Sequence, residues 1–174
     1  MSNGAKTYLT SLYAYEKYHK WSANKDKGNK YTDKGKEAEE TSIEMVSILE
    51  GKSYLKYEDK MENEWLCGHP DILDSDESGV VTKIIDVKSP WDIETFFCNL
   101  GKPLSPQYYW QIQGYMALSG AMIGEVHFCL VNTPDHILND EKYRLYKKIN
   151  PVTELSPEYM RQEKELINNL TFDD

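Results

Sequence analysis

Cysteine is scarce in this chain: Cys67, Cys98 and Cys129 stand far apart among 174 residues, with no C-x-x-C pair. That excludes a disulfide framework and gives no zinc or iron–sulfur ligand pattern. It casts the three thiols as reduced core residues of a cytosolic protein. No apolar run approaches the roughly 20 residues that cross a bilayer, so no membrane partner is indicated. The first residues, Met1 to Lys6, lack the apolar stretch of a secretory signal. No G-x-x-x-x-G-K-[ST] loop occurs, which leaves ATP use unsupported. No Ser/His/Asp or Cys/His arrangement points to covalent catalysis, and His19, His127 and His136 form no acid/base constellation. Repeats, low-complexity tracts and clear domain linkers are also missing.

What is present fits one soluble globular domain with a proper core: 40% hydrophobic and 28% charged residues. A net charge of −9 disfavours a polyanionic partner, so its distribution matters. Residues 1–36 carry eight lysines against Glu16, Asp26 and Asp33, a local balance of +5. Residues 37–76 carry twelve acids against Lys52, Lys56 and Lys60, a balance of −9. A basic arm suited to phosphates thus precedes an acidic segment suited to a metal. The competing reading is a solvated charged surface.

The most informative stretch is Gly68-His69-Pro70-Asp71 followed by Ile84-Ile85-Asp86-Val87-Lys88. Between them the polar, Gly-ended run from Asp74 to Gly79 reads as a hairpin turn. Folding that hairpin brings Asp71 near Asp86. Alternation along a strand then puts Asp86 and Lys88 on one face and Val87 on the other. Two carboxylates suit Mg²⁺ or Mn²⁺, and a lysine beside them can orient an attacking water or offset charge on a phosphate. The plain alternative is an ordinary hairpin with solvent-facing charges. His69 shares a strand face with Asp71 and reads mainly as a structural residue at the strand edge.

A helix is expected over residues 5–21, then a loop over 24–34. A second helix should run from a cap at Thr32 or Asp33 to Glu50, ending at Gly51. Strands follow near 53–58, 64–73, 80–88 and 125–131. Ser105-Pro106 starts a helix that Gly120 closes, and Ser156-Pro157 starts the last one. This order describes an α/β or α+β domain around a mixed sheet. In the second helix Ala38, Ser42, Met45, Val46 and Leu49 form the buried stripe. Glu39 falls on its edge, while Glu37 and Glu40 turn to water. A glutamate there needs a lysine partner, a proton or a metal. Gly35, one turn earlier, lets another backbone approach. On the 106–119 helix Tyr108, Gln111, Tyr115 and Leu118 share a stripe that can line a polar site or simply pack.

Together these residues resemble the PD-(D/E)XK nuclease superfamily, and within it the YqaJ-type viral recombinases and the exonuclease of phage lambda. The matching pieces are the Gly35–Glu39 and Gly68–Asp71 segments, Asp86-Val87-Lys88-Ser89-Pro90, and the run from Tyr108 to Met116. They span residues 35–116 in the family's order. The resemblance implies a restriction-endonuclease-like core, a mixed β-sheet flanked by helices. It divides residues 1–174 into a basic amino-terminal helix and loop (1–34), a catalytic core (35–131) and a helical carboxy-terminal part (132–174). It makes Glu39, Asp71, Asp86 and the Val87 carbonyl the metal ligands and Lys88 the catalytic lysine. Gln111, with Tyr108 and Tyr115, becomes substrate-facing.

The implied activity is a Mg²⁺- or Mn²⁺-dependent exonuclease that hydrolyses duplex DNA ends by in-line attack of water. Its implied setting is phage or prophage recombination in the cytoplasm of a bacterial host. A homo-oligomer and a single-strand annealing protein are the further partners it suggests. Two other readings stay open: a structure- or sequence-specific endonuclease on the same core, and a non-catalytic DNA-binding module.

Overall fold

The computed structural model describes residues 3–19 and 29–172. The first helix, α1 (Asn3–Tyr18), starts and stops earlier than expected. It ends at His19, whose φ of 51° is incompatible with another helical turn. Positions 20–28, with the first part of the expected loop, lie outside the described residues.

The rest of that loop is helical. Asn29, not Thr32 or Asp33, is the cap: its side-chain oxygen accepts from the Tyr31 and Thr32 N–H groups at 3.0 and 3.1 Å. From it runs α2 (Lys30–Glu37), which gives way at Ala38 to α3 (Glu39–Glu50). Gly51 closes α3 with φ 64°, as its sequence position predicts. Ala38, Ser42 and Val46 are buried and Met45 partly so, but Leu49 is 77% exposed, while the next residue, Glu50, is the one that meets the sheet, at Lys83. Lys34 is the larger departure. This member of the basic arm is fully buried, its ammonium donating to the Trp91 carbonyl at 2.9 Å between the Trp91 and Phe172 rings.

The expected strand at 53–58 is irregular chain, held to the fold by a Tyr57 N–H bond to the Asp71 carbonyl and by the Tyr54 side chain. The one at 64–73 is split. Its first part pairs with a short upstream strand, β1 (Met61–Glu62) with β2 (Cys67–Gly68). Its end opens β3 (Ile72–Ser75). The next strand, β4 (Val81–Lys88), returns antiparallel to β3. Parallel pairing of β4 with β5 (Ile123–Phe128) demands a crossover, which α4 (Ile93–Asn99) and α5 (Pro106–Ser119) supply. Two antiparallel-packed helices follow, α6 (Asp135–Ile149) and α7 (Pro157–Leu170). The expected mixed α/β architecture is therefore present, and no described helix is long and apolar enough to cross a membrane.

The central sheet, in the order β3-β4-β5, has an apolar layer on each face. Odd positions Ile85 and Val87 pack with Ala38, Ile43 and Val46 of the α2–α3 arm, whereas Ile84 packs with Ile112 of α5. Gly124 makes the second contact possible: a Cβ there would lie 2.7 Å from Ile112 Cγ1. Of the thiols expected in the core only Cys129 is buried; Cys67 and Cys98 are exposed, on a short edge strand and a short surface helix.

Candidate active site

The hairpin sets the site. Ile72 pairs with Ile85, so the residues one step outward, Asp71 and Asp86, face each other across the β3–β4 ladder. Asp71 Oδ2 accepts the Val87 N–H at 2.7 Å, which fixes its carboxylate beside the strand. Asp86 is 1% exposed. Its Oδ2 touches the Lys88 ammonium in an ion pair yet accepts no hydrogen bond of good geometry. Lys88 reaches back along the same face of β4, 5.4 Å above the Tyr108 ring. Val87 turns its side chain into the opposite layer, leaving its backbone in the cleft.

Glu39 enters from the first turn of α3. It is partly buried and ion-paired with Lys56 at 3.2 Å, while Glu40 is exposed, as helical phase predicts. Glu39 thus has the lysine partner that its position on the helix calls for. Even so, the Glu39 charge adds to the repulsion felt by Asp71 and Asp86. From the other side α5 presents Gln111, whose amide donates to the Tyr115 hydroxyl at 2.9 Å. The Tyr115 ring lies against Gly68, where a Cβ would come within 2.4 Å of it, so only glycine admits this packing.

These groups line one open cleft of about 510 Å³, with Tyr31, Gly35 and Lys36 at the α2 end and His69 on its exposed rim. Burial, then repulsion by Asp86 and Glu39, lifts the Asp71 carboxyl from 3.8 to about 7 despite the Val87 and Lys88 contacts. Burial also raises Asp86, opposed chiefly by Lys88. Burial likewise pushes the Tyr115 phenol up. Two carboxylates held together against their repulsion form a donor set that a hard divalent cation fits. The chemistry open to such a face is hydrolysis of a phosphoester.

A second set was not visible in the sequence. Glu50, Glu125 and His127 bring three ligand atoms within 4.8 Å of one another and could hold a metal ion. They lie on the opposite face of the sheet, since Glu125 and His127 pair with Ile85 and Val87. Lys83 already occupies this set, donating to Glu50 at 2.8 Å and Glu125 at 3.3 Å. The even spacing of Lys83, Ile85 and Val87, set beside that of Glu125 and His127, is the signal that could have found it.

No family model and no curated protein matches the chain. Among solved structures it is similar to a phage-related exonuclease from Haemophilus somnus 129PT, at 25% identity and a TM-score of 0.64, covering 95% of this chain and 78% of that one. It is also similar to the alkaline exonuclease LHK-Exo from Laribacter hongkongensis, at 17% identity and a TM-score of 0.55 over 94% and 86% of the two chains. A complex of LHK-Exo with dAMP matches over the same shares at 18% identity and a TM-score of 0.54. The fold of this chain is that of the phage-related and alkaline exonucleases, which bears out its resemblance to the lambda-exonuclease-like branch of the PD-(D/E)XK nucleases.

Proposed function

We propose that the protein is a divalent-metal-dependent deoxyribonuclease that degrades duplex DNA from its ends, encoded by a phage or prophage and acting in the cytoplasm of a bacterial host. The observation that carries the reading is the shared face of Asp71, Asp86 and Lys88, with Asp86 buried and its Oδ2 against the Lys88 ammonium. The likeness to a phage-related exonuclease supports attack at ends. Mg²⁺ or Mn²⁺ held by Asp71, Asp86, Glu39 and the Val87 carbonyl supplies a Lewis acid, lowering the pKa of water and offsetting charge on the phosphate.

The side chains do the rest. Lys88, tethered through Asp86 and seated over Tyr108, holds the attacking water in line and opposes the charge growing on the phosphate oxygens. Gln111, oriented by Tyr115, keeps an amide hydrogen and its carbonyl for the water or the phosphate. Tyr108 and Tyr115 form the aromatic wall along which the strand lies.

Incubating linear duplexes labelled at the 5′ or 3′ end beside a closed circular plasmid, with Mg²⁺, Mn²⁺ or chelator, tests this. Degradation of the linear DNA alone, and only with metal, is the expected result. Cleavage of the closed circle would replace the exonuclease with an endonuclease. Inertness of both DNAs with either metal would end the nuclease reading.

A further inference from the structure

Ser42 is fully buried on the α3 stripe between Ala38 and Val46, two members of the apolar cluster that also holds Val87 and Cys129. An apolar side chain would pack there without any need for polar partners. Instead its Oγ lies 2.8 Å from the Ala38 carbonyl and 2.9 Å from Ser89 Oγ. A hydroxyl has one proton. Since the Ala38 carbonyl can only accept, Ser42 donates to it and Ser89 must donate to Ser42. The chain of bonds therefore has one direction, from Ser89 through Ser42 to Ala38.

Its ends are the two places where the cleft is assembled. Ala38 is the joint between α2 and α3, with no side-chain cap of its own, and Glu39 is the next residue. Its carbonyl takes the Ser42 N–H at 2.9 Å as well as the Ser42 hydroxyl. Back-bonding of this kind bends helices, here at the point from which Glu39 departs. Ser89 directly follows Lys88, whose carbonyl is itself held by the Cys129 N–H at 2.8 Å. The Cys129 thiol in turn donates to the Ser42 carbonyl at 3.7 Å.

We infer that Ser42 and Ser89 are positioning residues: their directional hydrogen-bond pair fixes the placement of Glu39 on α3 relative to Asp86 and Lys88 on β4. This rests on the metal-nuclease reading above. Ser42 lies buried behind the cleft, and Ser89, at the cleft wall beside Lys88, turns its hydroxyl to Ser42. They act by holding two elements in one register, as outer groups behind metal ligands do elsewhere, where their loss costs 10- to 100-fold in affinity or activity.

The test compares the full chain with Ser89→Ala, which removes the donor at a half-buried site, and Ser89→Thr, which restores a hydroxyl. Mn²⁺ binding is titrated by electron paramagnetic resonance, and cleavage of a linear duplex and thermal melting are followed on the same samples. The expected result is that Ser89→Ala melts close to the parent yet needs roughly tenfold more Mn²⁺ for half-saturation, with cleavage shifted to match. Ser89→Thr should return most of the loss. A parent that binds and cleaves beside a Ser89→Ala that does both equally well overturns the inference alone. So does an equal loss in Ser89→Thr. A parent that binds no Mn²⁺ overturns the metal-nuclease reading itself and the inference with it.

Discussion

Replacing Asp71 with asparagine should make the metal-free protein more stable, although it removes a proposed ligand. Asparagine can still accept the Val87 N–H through its carbonyl, so the 2.7 Å bond survives while the charge goes. The carboxyl stands at about 7 in the fold and at 3.8 when unperturbed. Between those values the folded state binds more protons than the unfolded chain, so stability falls as pH rises through the window and the full cost is present above it. Three pKa units correspond to a ceiling of about 4 kcal/mol, and relaxation of a partly accessible site brings this to roughly 2 kcal/mol. In a domain of this size that is worth about 4–8 °C in melting temperature. Melting scans in chelator at pH 4 and pH 8 should therefore show the two proteins close together at the lower pH and Asp71→Asn clearly ahead at the higher. A variant no more stable than the parent at pH 8 would refute the claim that burial, with repulsion by Asp86 and Glu39, holds the Asp71 carboxylate at a cost.

Divalent metal should close that gap from the other side. The parent should gain about 2.7 kcal/mol at one hundred times Kd, seen as a rise in melting temperature with Mn²⁺ that Asp71→Asn blunts. Glu39→Gln should lower cleavage several-fold while Glu40→Gln stays near the parent, because only the first side chain enters the cleft. Equal behaviour of the two in one assay would show that Glu39 is no ligand. Lys34→Met is expected to change how stability depends on pH in the alkaline range. Burial lowers the Lys34 ammonium from 10.5 to about 8, so the unfolded parent binds more protons between those values and parent stability gains up to about 3 kcal/mol across the window. Chemical denaturation at pH 7.5 and pH 10 should find that term missing from the variant.

The parts of the fold that local chemistry dictates were legible. The turn between β3 and β4, the Ser105 and Ser156 caps, and the Gly51 and Gly120 stops all follow from residue type. So did the strand alternation that sets Asp86 and Lys88 on one face, and the phase that separates Glu39 from Glu40. What escaped reading depends on tertiary partners. The first turns of α2 are too polar to announce a helix, and it is the burial of Lys34 between Trp91 and Phe172 that anchors them. A lysine gives no sign in sequence that an aromatic pair and a carbonyl await it. The run at 53–58 has strand-like residues, but its backbone bond from Tyr57 to Asp71 does not extend into a ladder. In α3 the apolar pattern continues to Leu49, yet it is Glu50 that meets the sheet, drawn there by Lys83, and Leu49 is left exposed. The seven-residue α4, capped by Asp92, is too short to show a period.

The central claim is that the face shared by Asp71, Asp86 and Lys88 hydrolyses DNA with the lysine as its working cation. Lys88→Met tests it most directly, since the substitution keeps the stem over Tyr108 and leaves every proposed ligand in place. Mn²⁺ titration and single-turnover cleavage of a linear duplex, run on one preparation, should find the metal bound at least as tightly as in the parent and cleavage reduced at least a hundredfold. Cleavage at the parental rate, with metal bound, would contradict the account.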